Sequence, residues 1–242
     1  MGALKTRLLF QEDSYLREFE ARVVGVKGDA VFLDSTAFHP TPYGGLDTDT
    51  GYLEGARGPA RVLKAIVEGD EVAHIVERPL FSVGDLVRGV IDWDRRYSMM
   101  KLHTFSHILA AILYERHGVL VTGGHITQER AREDFDVGDV ADWKSIVREA
   151  FEESLDTARR CIDVKIYWMK REEAMKIPGL VKLAERLPPQ VDTLRIVEIP
   201  GVDIQADGGP HVRNTCEIGT VEIEKMESKG KRRKRLYYKL VE

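Results

Sequence analysis

Two imidazoles stand four residues apart in the run His103-Thr104-Phe105-Ser106-His107. On a helix that spacing stacks both side chains on one face, where they can reach a single ion, and the geometry suits zinc. The run is not the H-E-x-x-H signature of zinc proteases, because Thr104 stands where the general-base glutamate would be. A second segment, Gln205-Ala206-Asp207-Gly208-Gly209-Pro210-His211, sets a carboxylate and a third imidazole four residues apart across a glycine-rich bend. Consecutive glycines admit close backbone approach and positive φ, so one loop can turn both side chains toward a common point. Together the segments offer His103, His107, His211 and Asp207, donors that zinc accepts at about 2.0–2.2 Å. Each segment alone also has a plainer reading, as two unrelated histidines and as an ordinary turn. Cys216 is a softer alternative ligand. It lies five residues past His211, on the opposite side of an extended segment, and ranks below Asp207.

These residues need elements to hold them. The stretch 97–114 has no Gly or Pro and is apolar almost all round, which predicts a buried helix. Upstream, from about residue 19 to 92, β-branched runs alternate with turns at Lys27-Gly28-Asp29, Glu68-Gly69-Asp70 and Gly84-Asp85. Such hairpins predict a small β-barrel. Downstream, Trp143, Ile146, Val147, Ala150, Phe151, Leu155 and Ala158 recur at helical steps, predicting a helix at about 142–160 with Asp139 and Asp142 near its start. A strand at 162–168 follows, then a short helical stretch from Glu172 ended by Pro178-Gly179, a strand at 194–199, and a hairpin of 218–223 with 235–240. The expected class is α+β: a β-barrel domain over 1–94 and an α+β domain over 95–242, with the boundary near 92–96.

At 242 residues the chain exceeds one typical domain of roughly 100–150, so one large or two modest domains are expected. With 43% hydrophobic and 31% charged residues, disorder, collagen and coiled-coil rods are excluded. No run approaches the roughly 18 apolar residues of a membrane span, and Met1-Gly2-Ala3-Leu4-Lys5 leads into no apolar signal core, so a cytoplasmic location without a membrane partner is expected. Two cysteines are too few for a disulfide framework or a four-thiolate zinc site. The formal net charge of −4 excludes general DNA coating and leaves nucleic-acid contact to local patches. One such patch is Lys229-Gly230-Lys231-Arg232-Arg233-Lys234-Arg235, six cations in seven residues at a predicted hairpin tip, followed by Tyr237-Tyr238 as stacking or core groups. Arg95, Arg96, Arg130 and Arg132 are secondary candidates, although Arg132 beside Glu133-Asp134 also fits a surface ion pair.

At this point the sequence resembles the AlaX proteins, free-standing homologues of the editing domain of alanyl-tRNA synthetase. The resemblance covers 11–219 and is carried by blocks in order. They are Asp13-Ser14-Tyr15-Leu16-Arg17-Glu18-Phe19, Asp34-Ser35-Thr36-Ala37-Phe38-His39-Pro40 leading to Gly44-Gly45, and Asp92-Trp93-Asp94-Arg95-Arg96-Tyr97 running into the histidine helix. Thr122-Gly123-Gly124-His125 and Gly208-Gly209-Pro210-His211-Val212-Arg213-Asn214-Thr215-Cys216 complete them. The length resembles the medium-sized class. Two departures stand out: where the family often reads C-G-G-T-H this chain has Asp207-Gly208-Gly209-Pro210-His211, so carboxylate or water replaces a thiolate, and Pro210 removes a hydroxyl and a backbone donor.

The resemblance implies an aminoacyl-tRNA deacylase with one zinc ion per chain, cleaving the ester of serine, or glycine, wrongly joined to tRNA for alanine. The bond is already activated, so the enzyme need only place water and stabilise the oxyanion. Gly208 and Gly209 are expected to supply backbone donors. Serine exceeds alanine by one hydroxyl, which Thr104, Thr122 and His125 are placed to read. Gly44 and Gly45 fall where AlaX proteins carry a glycine motif linked to sparing correctly charged substrate; the residues alone equally fit a tight turn. Rival readings are editing of mischarged tRNA of the threonine family and a tRNA-binding module without catalysis.

Overall fold

Short β-branched runs between glycine turns build the first part of the chain. The computed structural model describes residues 5–138, 140–177, 180 and 191–241. The expectations at Met1–Leu4, Asp139 and Pro178-Gly179 lie outside them. Residues Met1–Tyr97 with Gly208–Pro210 form one compact unit, and Ser98–Asp207 with His211–Glu242 form another.

The first unit contains β1 (Arg7–Leu8), α1 (Leu9–Glu12), β2 (Glu18–Lys27), β3 (Ala30–Leu33), β4 (Ser35–Thr36), β5 (Gly51–Gly55), β6 (Gly58–Glu68), β7 (Glu71–Val76) and β8 (Leu86–Ile91). Six strands close an antiparallel barrel in the order β2-β3-β7-β6-β5-β8. The expected hairpins at Gly28 and Gly69 are its β2–β3 and β6–β7 pairs. Alternation along β2 buries Phe19, Ala21 and Val23, which join Val31, Leu33, Leu53, Val62 and Ile91 in one core. Phe19 pairs with Gly89 of β8, where a Cβ would come within 2.2 Å of the Phe19 ring, so only glycine lets that ring lie across the strand.

Beside the barrel, Arg96 corrects an expectation. It is wholly buried, with its guanidinium bidentate on the equally buried Asp49 and bonded to the carbonyls of Ser14 (3.1 Å) and Ala37 (2.5 Å). Every donor face is used inside the unit, so this arginine has nothing to offer a nucleic acid. Arg95 likewise pairs with Asp47 at 2.5 Å and bonds the Thr48 carbonyl.

The helix α2 (Trp93–His117) has its first turn in the first unit and the rest in the second. The second unit continues with β9 (Leu120–Ile126), β10 (Ala131–Asp136), α3 (Trp143–Ala158), β11 (Lys165–Lys170), α4 (Arg171–Ala174), β12 (Thr193–Ile199), β13 (Asp203–Ala206), a 3₁₀ turn (Thr215–Ile218), β14 (Val221–Ser228) and β15 (Arg233–Leu240). Two sheets result, β14-β15-β10-β9 and β11-β12-β13. Asp142 caps α3 by accepting from the Ser145 amide. Phe105 of α2, Phe151 of α3 and Tyr238 of β15 meet at centroid separations of 5.0–5.8 Å, fixing the helices to the larger sheet. Residues Leu102, Phe105, Ile108, Leu109 and Leu113 are all buried, as an apolar circumference requires. No described helix is long and apolar enough to cross a membrane.

Candidate metal centre

The apolar packing of α2 holds His103 and His107 one turn apart and nearly shielded from water. The segment after β13 carries Asp207 and His211 to the same place. The His103 and His211 rings stack at 4.1 Å, and His107 lies edge-on to both at 5.0 and 4.7 Å. One donor atom from each of His103, His107, Asp207 and His211 lies within 4.8 Å of the others. Asp207 Oδ1 is 3.2 Å from His211 Nε2 and Oδ2 is 3.8 Å from His103 Nε2. Tetrahedral ligands about 2.05 Å from zinc lie on the order of 3.3 Å apart, so the Asp207–His211 pair is at that spacing and the set as a whole is looser than it.

Neighbouring groups fix which nitrogens are offered. His107 Nδ1 donates to Asp203 Oδ2 at 2.9 Å, and Gln205 holds the same oxygen at 3.0 Å. Thr104 Oγ1 gives its hydrogen to the Met100 carbonyl (3.0 Å) and accepts from His211 Nδ1 (3.1 Å) and the Val212 amide (3.3 Å). With both Nδ1 hydrogens engaged, the Nε2 lone pairs are the ones left for the cluster. Arg195 donates to the Asp207 carbonyl at 2.9 Å and accepts from the Asp207 amide, anchoring the carboxylate's backbone.

Protonation follows from the same geometry. Burial works to raise the Asp207 carboxyl, but His103, His211 and His107 outweigh it and hold the group well below the usual carboxylate range. Burial, with His103 beside it, pushes His211 well below its ordinary value. An ionised carboxylate therefore faces a neutral imidazole across 3.2 Å, two acceptors with lone pairs toward each other. A cation between them resolves that opposition, and neutral imidazole with ionised carboxylate is the protonation state a metal requires. The cluster could hold a metal ion.

Residues 194–237 match the family described as the threonyl and alanyl tRNA synthetase second additional domain. The chain is 50% identical to the alanyl-tRNA editing protein AlaX-M of Saccharolobus solfataricus, over 96% of this chain and 98% of that one. It belongs to the AlaX-M family. The AlaX-M protein of Methanosarcina mazei is 36% identical over 98% and 97% of the two chains. The alanine–tRNA ligase of Ignicoccus hospitalis is 35% identical over 92% of this chain but 24% of its own length.

In this AlaX-M family member several expected residues take other places. Thr104 is a correction: its hydroxyl is wholly engaged with Met100, His211 and Val212, so it orients His211 and has no capacity left to read a substrate hydroxyl. Cys216 is another, because its sulfur is bonded to Cys161 and the pair is exposed, away from ligation. Thr122 and His125 lie exposed on the edge strand β9, with no side-chain hydrogen bond to a described residue. Gly208 and Gly209 fall within the first unit, where Gln11 Nε2 donates to the Gly208 carbonyl at 3.1 Å and to Tyr43 Oη at 3.0 Å. A Cβ on Gly208 would come within 2.5 Å of the Tyr43 ring, so only glycine fits. In the same unit Gly44, at φ 58°, lies against the Gly209 backbone. Gly45 follows at φ 80°.

The basic hairpin is largely neutralised from within. Arg235 grips Asp134 with two bonds of 2.5 and 2.8 Å, Arg232 grips Asp136, and Lys229 pairs with Glu227. Lys234 is buried, its ammonium on Ser228 and the carbonyls of Gly230 and Lys231, 5.6 Å from the Trp143 ring centre. Lys231 and Arg233 stay exposed. Tyr238 is a core residue, and Tyr237 faces outward.

Sequence reasoning weighed Glu133 only as a surface ion-pair partner of Arg132, and the structure corrects that. It is buried on β10 and accepts from Tyr238 Oη at 2.8 Å. Burial pushes its carboxyl up to about 7, offset only in part by the hydroxyls of Ser106 and Tyr238 and by His107. Between the ordinary 4.5 and about 7 the folded chain holds a proton that the unfolded chain releases, so stability falls as pH rises through that window. Glu133→Gln keeps the acceptor for Tyr238 without the ionisation. In metal-free protein it should raise stability at pH 8 by about 3 kcal/mol and change little at pH 4. Urea unfolding at both values checks this, and parallel pH dependence in the two proteins would contradict it.

Proposed function

We propose that the chain removes a wrong amino acid from tRNA for alanine by hydrolysing its ester to the terminal ribose, with serine the principal target and glycine a lesser one. The observation that carries this is the convergence of three imidazoles and one carboxylate in a family of alanyl-tRNA editing proteins. His103, His107, Asp207 and His211 would hold one zinc ion, which supplies Lewis acidity and lowers the pKa of water. Asp203 and Thr104 fix the tautomer and aim of His107 and His211, and Arg195 keeps Asp207 in place. The backbone of Gly208-Gly209, between two ligands, is the proposed oxyanion contact. Thr122, His125, Gly44 and Gly45 are the proposed contacts to the aminoacyl end. Lys231 and Arg233, with Lys229, Arg232, Lys234 and Arg235 shaping their hairpin, are proposed to meet tRNA phosphates. Work on tRNA supports a cytoplasmic location.

Seryl-, glycyl- and alanyl-tRNA for alanine, with seryl-tRNA for threonine, should be offered to protein of measured zinc content. Seryl-tRNA for alanine should be cleaved on the order of 10²-fold faster than alanyl-tRNA, because a site that bonds a hydroxyl is left unpaired without one. Preference for the threonine tRNA would move the substrate to the related editing class, and no cleavage of any would leave a binding module.

A further inference from the structure

The outward face of the four-stranded sheet carries a row that the metal centre does not use. Register sets His125 of β9, Arg132 of β10, Tyr237 of β15 and Lys225 of β14 side by side. Their neighbours Ile126, Ala131, Glu133 and Tyr238 are buried, so alternation turns the row toward solvent. His125 and Lys225 are exposed, and Arg132 and Tyr237 are half-exposed. Direct cross-strand partners lie about 5 Å apart, which makes the row a continuous stripe across four strands.

Arg132 differs from the cations around it. Arg235 is on Asp134, Arg130 on Glu224 and also over the Tyr237 ring, and Lys225 on Glu227. Among the described residues the Arg132 side chain has no hydrogen bond or ion pair, and its Nε is shielded from water without an acceptor. The two Nη atoms are not shielded in this way, and a guanidinium without a carboxylate partner can meet phosphate oxygens with two parallel bonds.

We infer that this stripe is a docking surface for the phosphate backbone of an RNA strand, with Arg132 as the central contact and Lys225 flanking it. The inference rests on tRNA being the substrate carrier, and it places contact on the sheet face in addition to the hairpin tip. Uncharged tRNA, titrated by fluorescence anisotropy across a potassium chloride series, tests it. Arg132→Gln should weaken binding about tenfold and lower the slope of log affinity against log salt by about one. Lys225→Gln should act in the same direction, and both variants should melt like the wild type. If the wild type binds and both variants match it in affinity and slope, while Arg233→Gln weakens binding, the tip alone is the contact and the stripe is overturned. Failure of the wild type to bind tRNA would instead bring down the substrate reading, and the stripe with it.

Discussion

Alanine at His103 is expected to cost more metal affinity than any change outside the ligand set. Losing the Asp203 carboxylate, which only orients His107, should weaken binding by roughly 10–100-fold, the usual effect of an outer partner. His103 offers a donor directly and stacks on His211 at 4.1 Å, so His103→Ala should exceed that range and also loosen His211. Hydrolysis should fall on the order of 10³-fold, since the ion supplies several kcal/mol of charge stabilisation. Competition against a chromogenic chelator gives the affinities, and deacylation of seryl-tRNA gives the rate. Full activity in a His103→Ala protein shown to be free of metal would remove the ion from the chemistry.

Serine at Cys161 or Cys216 should lower the stability of the second unit by about 4 kcal/mol. The two residues are 55 apart in sequence, and closing a loop of that length removes entropy from the unfolded chain to about that extent. The bond joins the end of α3 to the 3₁₀ turn just past His211, so the ligand segment is tethered on its far side. Hydrogen bonds support the same junction: Asn214 reaches the Cys161 carbonyl at 2.9 Å and Asp163 at 2.7 Å, and Thr215 reaches the Ala158 carbonyl. A melting point lowered by about 10 °C in Cys216→Ser, matched in the wild type by reductant, is the expected result. Identical melting with and without reductant would contradict it.

Much of this was legible before any coordinates. β-branched runs around Gly-Asp turns signal the barrel hairpins, and a long apolar stretch without Gly or Pro signals α2, because both depend on local periodicity. The convergence of His103, His107, Asp207 and His211 was legible because four-residue spacing has a geometric meaning on a helix and across a short bend. What escaped depends on partners distant in sequence or on glycine inside strands. β5 begins and ends on glycine, and β9 has Gly123-Gly124 at its centre, so neither carries a clear strand pattern. Asp203 meets His107 across 96 residues, a distance no motif records. The hairpin cations look free until register sets Asp134 opposite Arg235 and Asp136 opposite Arg233. Two cysteines likewise say nothing about adjacency until α3 and the 3₁₀ turn are packed together.

X-ray absorption at the zinc edge of the loaded protein tests the central claim most directly. Three nitrogens and one oxygen at about 2.0–2.2 Å, with outer-shell scattering from imidazole rings, are expected from His103, His107, His211 and Asp207. Sulfur at about 2.3 Å, or a six-oxygen shell without imidazole, would contradict the account.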